Sequence, residues 1–270
     1  MKNSFWARLQ RGAAIVLVGL VLGGVAGGCA NFAAPATPVL YQVSTLQAII
    51  EGVYDGVKPV GELRSHGDLG IGTFNGLDGE MVMVDGFLAQ VKGDGTVVVP
   101  ADAVTTPLAC VTWFVPDRRI AVPTGMRLAD LTVWLDGELG NLNLPYAVRV
   151  RGDFRRVKTR SVPAQKKPYP RLTDVTATQA VFELGATCGD VVGFRLPGYF
   201  AGINLPGYHL HYLNDAHTQG GHLLDIETGA GVVVEIQAFH RLFLLLPEGG
   251  DFAAAELSGD KSAELRKAEQ

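Results

Sequence analysis

The chain has 270 residues, 47% of them hydrophobic, which is enough to bury a sizeable core and excludes disorder throughout. Its net charge is −4 and no Lys/Arg cluster is interleaved with aromatics, so the electrostatic footprint of a nucleic-acid binder is missing and no nucleic acid partner is expected. The 34 glycines, many in DG and GG pairs between runs of strand formers, predict a strand-heavy protein with tight turns.

Residues 1–29 differ from the rest. Lys2, Arg8 and Arg11 make a basic start, GAAIVLVGLVLGGVAGG follows without a charge, and Ala26, Gly27 and Gly28 lead into Cys29. This pattern predicts an export signal. A cysteine after small residues resembles a bacterial lipoprotein cleavage site, with the thiol acylated, although Ala26 stands where leucine is usual. That reading gives a membrane-anchored lipoprotein in the periplasm or at the cell surface, with a lipid on Cys29 as its sole membrane contact. The alternative is a protein secreted after ordinary signal cleavage. The Gly-rich end of the run argues against an uncleaved span. ANFAAPATP (30–38) has the composition of a tether.

Residues 39–145 are expected to form an N-terminal mixed-sheet domain. Ser44 to Val57 places Leu46, Ile49, Ile50, Val53, Tyr54 and Val57 on one helical face, with Ser44 and Gln47 spaced as a capping box. Gly70 to Pro100 reads as consecutive hairpins punctuated by LDG, VDG and GDG, Met126 to Leu139 has helical spacing, and Asn141 to Pro145 reads as a loop. Residues 146–247 form the second block, strand-rich, with a helix expected at Leu172 to Leu184 and strands from Val191 to Leu246. The tail, 248–270, is charged and rich in helix formers, as in a solvated terminal helix. Cys110 and Cys188 belong to no CxxC motif; export permits a disulfide between them, and free thiols fit equally well.

Four of the six histidines fall in GYHLHYLNDAHTQGGH, Gly207 to His222. In a strand, the two-residue spacing of His209 and His211 points both imidazoles to one face, leaving the other to Leu210 and Tyr212. NDAHTQGG is a loop of turn formers, and HLLDIE resumes a strand that can return His222 beside the first two. Three converging imidazoles suit zinc (Zn2+) or another late first-row divalent ion, and leave coordination positions open for water or substrate. His217 reads as an exposed loop residue, and His66 and His240 as structural. An HxH pair also occurs in cupins, but the glutamate expected three or four residues later is missing, since those positions are Asn214 and Asp215.

Glu80, after the LDG turn, shares a face with Val82 and Val84. It sits either at a wetted strand end or inside for a purpose, and Thr73, one strand earlier, can face the same space. Arg151, Arg155 and Arg156 read as solvated surface residues.

Three long motifs occur in order: GDLGIGTFNGLDGEM (67–81), RSVPAQKKPYPRL (160–172) and VGFRLPGYFAGINLPGYHLHYLNDAHTQGGHLLD (192–225). Together they resemble the α-acetolactate decarboxylase family over about Val39 to Pro247. The resemblance implies a strand-rich α/β (α+β) protein, two-domain, with a mixed β-sheet domain and a smaller β-barrel-like domain enclosing a zinc site. It implies His209, His211 and His222 as the metal ligands, Glu80 and Arg160 as catalytic carboxylate and guanidinium, and Thr73 as a pocket contact. It also implies a glutamate from the tail, for which Glu269 is the choice and Glu264 and Glu256 are rivals. The implied reaction is decarboxylation of the small molecule 2-acetolactate to acetoin and CO2 through a metal-stabilised enediolate, in a chain that is compatible with a homodimer. An exported zinc hydrolase using the same three histidines, or a non-catalytic zinc-binding lipoprotein, are the competing readings. One departure is that Leu108 and Cys110 stand where a Phe-Ala type of pattern is expected, which bears on packing and leaves the histidines untouched.

Overall fold

The computed structural model describes residues 37–269; the expected export signal, Cys29 and most of the tether lie outside the described residues. The first half lays down β1 (Leu40–Val43), α1 (Leu46–Ile50), β2 (Lys58–Pro59), α2 (Val60–Leu63), β3 (Leu69–Thr73), β4 (Glu80–Val84) and β5 (Phe87–Val91). It continues through β6 (Val97–Val98), β7 (Thr105–Thr106), β8 (Ala109–Thr112), β9 (Arg118–Ala121) and α3 (Leu128–Leu139). The second half opens with the long β10 (Tyr146–Ser161), then α4 (Leu172–Thr176), β11 (Ala180–Leu184), β12 (Thr187–Leu196), β13 (Gly207–Asn214), β14 (Gly220–Thr228), β15 (Val233–Ala238) and β16 (Leu242–Leu245). Two short helices end it, α5 (Asp251–Ala254) and α6 (Ser262–Glu269).

These strands build a strand-rich α+β fold with two main sheets. The first runs β16-β1-β8-β3-β4-β5-β6 and is mixed, because β1 and β16 are parallel while its other pairs are antiparallel. In the second sheet β10 pairs with both β12 and β14, so β10, β12, β13 and β14 close into a four-stranded barrel. β15, β9 and β11 extend from it. β9 and β16 each join the sheet built mainly by the other half of the chain. The expected hairpins of 70–100 are β3 to β6; Asp85 and Gly86 both take positive φ between β4 and β5, the conformation a two-residue hairpin turn needs.

The sheets share one apolar layer. Leu69, Ile71, Val82 and Val91 from the first pack with Val192, Phe194 and Leu213 from the second. α3 adds Leu131, Leu135 and Leu139, one stripe at helical spacing, to a second cluster that includes Leu210 and Tyr212. It stops at Gly140, whose φ of 75° a helix cannot continue.

Three sequence expectations change. The helix expected from Ser44 to Val57 shrinks to α1. Thr45 is its N-cap, accepting from the Ala48 N–H at 3.2 Å, Ser44 has φ 57°, and Gly52 turns left-handed at φ 83° against the Pro170 carbonyl. The helix expected from Leu172 to Leu184 ends at Thr176, because Ala180–Leu184 pairs antiparallel with Ser161 to Val157, and sheet pairing overrides helix propensity. The tail is not simply a solvated helix, since Leu265 and Ala268 of α6 are buried against α1 and α4 residues. Cys110 and Cys188 are both free, one buried and one exposed.

Candidate metal centre

Strand register assembles the cluster. β13 and β14 form the expected hairpin with His211 directly opposite His222, and β10 sets Arg160 opposite His222 on the other side. Directly opposed residues share a face, so Arg160, His222 and His211 form a row across three adjacent strands. His209 joins them from two positions along β13. The imidazole centroids stand 5.2, 5.1 and 5.3 Å apart, and one ring nitrogen from each lies within 4.8 Å of the others. Gly221 makes the approach of β14 to β10 possible: its φ is 128°, and a Cβ there would lie 2.5 Å from the Arg160 carbonyl oxygen.

The first sheet supplies the facing groups. Thr73 and Glu80 pair across β3 and β4, and the Thr73 hydroxyl donates to the Gly79 carbonyl at 2.7 Å. Glu80 Oε1 lies 3.9 Å from Arg160 Nη1, and Glu80 Oε2 lies 3.6 Å from His211 Nε2. All of these side chains are buried. Glu80, Arg160, Thr73 and the three histidines line one small cavity of about 40 Å3. Its remaining wall is apolar: Leu46, Ile49, Leu77, Leu108, Val162 and Leu172.

The donor set fits a cation. Burial, with the charge of Arg160 adding to it, pushes His209 down to about 3; burial and neighbouring His209 hold His211 well below the usual histidine range. Both are therefore neutral near pH 7, and the contact between His211 and Glu80 is not an ion pair. The Met81 carbonyl, 2.8 Å from His211 Nδ1, takes the ring's one proton and leaves the Nε2 lone pair facing the cluster. That buried nitrogen has no hydrogen-bond partner among the described residues, which fits the role of a metal ligand. The three histidines can hold a metal ion.

The other candidates lie elsewhere. His217 stacks on Phe87 at 4.0 Å and His66 on Tyr41 at 3.8 Å, while His240 is exposed. Arg155 and Arg156 pair at the surface with Glu227 and Asp225. In the tail, Glu264 pairs with Arg171, and Glu256 accepts from the Ser258 N–H at 2.8 Å. Glu269 ends α6, and its side chain lies outside the described residues. Sequence reasoning missed the apolar wall. Leu46 and Ile49 carried only the signal of a helix core face, and Leu108 was marked only as a departure.

Residues 40–259 match the profile of the alpha-acetolactate decarboxylase family. An alpha-acetolactate decarboxylase of Methanosarcina mazei is 46% identical over 237 residues, spanning 87% of this chain and 81% of the relative. One from Bacillus subtilis is 37% identical over 218 residues, 81% of this chain and 85% of the relative. A crystal structure of the enzyme from Bacillus subtilis strain 168 superposes with a TM-score of 0.82 at 35% identity, covering 86% of this chain and 99% of the other.

Proposed function

This chain belongs to the α-acetolactate decarboxylase family, and from that premise we propose that it converts 2-acetolactate to acetoin and CO2 with a zinc ion held by His209, His211 and His222. It is a carboxy-lyase. The observation that carries the reading is the facing of three clustered imidazoles, two of them held neutral, by one carboxylate and one guanidinium in one small cavity. Zinc suits an all-nitrogen set of protein ligands, and when bound by these three histidines it would supply a Lewis acid to stabilise negative charge developing on the substrate.

The reaction breaks the bond from the substrate's tertiary carbon to its carboxylate. CO2 leaves, the bonding pair delocalises toward the neighbouring ketone oxygen, and a proton must then reach the carbon. Arg160 stays charged, so it orients the carboxylate by charge-assisted hydrogen bonds and counters the negative charge that develops on oxygen. Glu80, across the cavity, delivers the proton to the carbon that loses CO2 and is reprotonated from solvent. Thr73, beside Glu80 on the facing strand, supports that wall. The apolar residues exclude water from the developing charge. The family resemblance adds a tail carboxylate to this site, for which Glu269 is the choice and Glu264 and Glu256 are the rivals. The hydrolase and non-catalytic readings gain no support from the relatives, each named as a decarboxylase.

The test is to express the full chain, quantify bound metal, and follow CO2 and acetoin from racemic 2-acetolactate before and after chelation. Activity that leaves with the metal and returns with added zinc supports the reading; stoichiometric zinc without acetoin overturns it. Mass spectrometry of the same protein tests the proposal that residues 1–29 are removed and Cys29 is acylated.

A further inference from the structure

The reaction chamber is small and partly open. Its volume of about 40 Å3 has room for a few water positions, at roughly 10–15 Å3 each. 2-Acetolactate takes up most of this room, so a bulkier substrate has to draw on space beyond the wall. The polar side is held by strand register, with His222, His211 and Arg160 fixed in adjacent strands and Glu80 paired to Thr73.

Two larger pockets abut the chamber. One, of about 660 Å3, meets it among the described residues at His222, a residue of the metal cluster that cannot give way without dismantling the site. The other, of about 590 Å3, is lined by Gln47 and Ile50 on the outer side of α1, by the loop from Ala201 to Pro206, and by the start of the tail helix at Lys261 and Leu265. Among the described residues it meets the chamber at one, Leu46. Ile49, also on α1, lines the chamber, and Ile50 lines the outer pocket.

We propose that Leu46 is the threshold of the active site and its size-selecting residue: its side chain separates the reaction chamber from the outer pocket, and its displacement joins the two. This rests on the decarboxylase reading above and adds to it a determinant of substrate class. A leucine can open such a partition by a rotamer change, without disturbing any strand pairing. With the side chain in place, the chamber takes short alkyl groups at the 2-position. With it removed, a longer 2-alkyl chain can extend into the outer pocket while its carboxylate, hydroxyl and ketone stay with the polar wall. One methylene more or less in an apolar pocket changes a specificity ratio by about tenfold or more.

The experiment measures kcat/KM of the zinc-loaded full chain for 2-acetolactate and for its 2-propyl homologue, in the parent and in Leu46→Ala, Leu46→Val and Leu46→Phe. The readout is the ratio of the two constants, which does not depend on how much of each variant is folded and active. The ratio is expected to move toward the larger substrate by about tenfold in Leu46→Ala, by less in Leu46→Val, and away from it in Leu46→Phe. Should Leu46→Ala fail to fold, the Val and Phe variants carry the comparison in opposite directions. Ratios within twofold of the parent in variants that still turn over 2-acetolactate overturn the inference, and so does complete loss of turnover in folded, zinc-loaded variants. If the parent itself makes no acetoin, the decarboxylase reading has failed instead.

Discussion

Arg160 and His222 stand directly opposite one another on β10 and β14, and Gly221 lets the two strands come that close. Any larger residue at 221 brings a Cβ to 2.5 Å from the Arg160 carbonyl and must also adopt a φ of 128°, where side chains are strained. Gly221→Ala is therefore expected to cost about 1–3 kcal/mol of stability. Because the shift would part His222 from Arg160, turnover per folded molecule is expected to fall as well. Thermal unfolding and kcat on the same preparation check both; a variant with parental melting and parental turnover contradicts the placement.

Arg160→Ala and Glu80→Gln test the groups facing the histidines. Neither residue belongs to the three-imidazole set, so zinc content is expected to stay stoichiometric in both. Loss of a charge-assisted contact or of the proton donor is expected to cut turnover at least tenfold, equivalent to about 1.4 kcal/mol of transition-state stabilisation. Metal analysis beside steady-state rates of acetoin formation separates the roles. Loss of zinc from either variant would instead make that residue part of metal binding.

Much of this site is legible before any coordinates, because its signal is local. His209 and His211 are two apart in a strand and His222 follows one turn, so period-two geometry alone brings them together. Arg160 and Glu80 are different. Their approach depends on β10 lying beside β14 and on one sheet packing over the other, which only the family resemblance anticipated. The failures have the same origin. Ala180–Leu184 is a strand because β10 lies alongside it, and no residue in the segment announces that partner. α6 buries Leu265 and Ala268 against α1 and α4, although its sequence reads as a charged, solvated helix. Leu46 shows in sequence as a core residue, and its place between two cavities follows from the packing of distant segments.

The two cysteines of the described region are expected to resist alkylation for different reasons. Burial pushes the Cys110 thiol up to about 12, and its Sγ donates to Gln42 Oε1 at 3.2 Å inside the core. Cys188 is exposed, but its hydrogen bond to the Asp215 carboxylate is the main cause that raises it to about 11. Only the thiolate reacts, so labelling of Cys188 by iodoacetamide should be slow near pH 8 and accelerate as pH rises toward 11. Asp215→Asn removes the carboxylate and should speed it at pH 8. Cys110 should label only after unfolding. Peptide mapping by mass spectrometry after timed labelling distinguishes the sites, and rapid native labelling of Cys110 would contradict its burial.

Arg149 ties the two sheets together, and its two carboxylate partners should differ sharply in importance. Its Nε donates to Asp190 Oδ1 at 2.7 Å, and its two terminal nitrogens donate to Asp85 at 2.8 Å each. The Arg149 and Asp190 side chains are 8% and 9% exposed, whereas that of Asp85 is 68% exposed. Burial opposes the guanidinium charge, and the two carboxylates outweigh it, raising its pKa overall. Removing one member of a buried pair leaves the other charge without compensation, so Arg149→Met is expected to cost about 3–5 kcal/mol. Asp85→Ala removes a partner already in solvent and is expected to cost about 1 kcal/mol or less. The double variant Arg149→Met with Asp190→Leu should recover much of the loss, because no uncompensated charge then remains buried. Urea unfolding of the three variants and the parent measures these differences. Equal losses for Asp85→Ala and Arg149→Met would show that the surface half of the cluster, rather than the buried pair, holds the sheets in place.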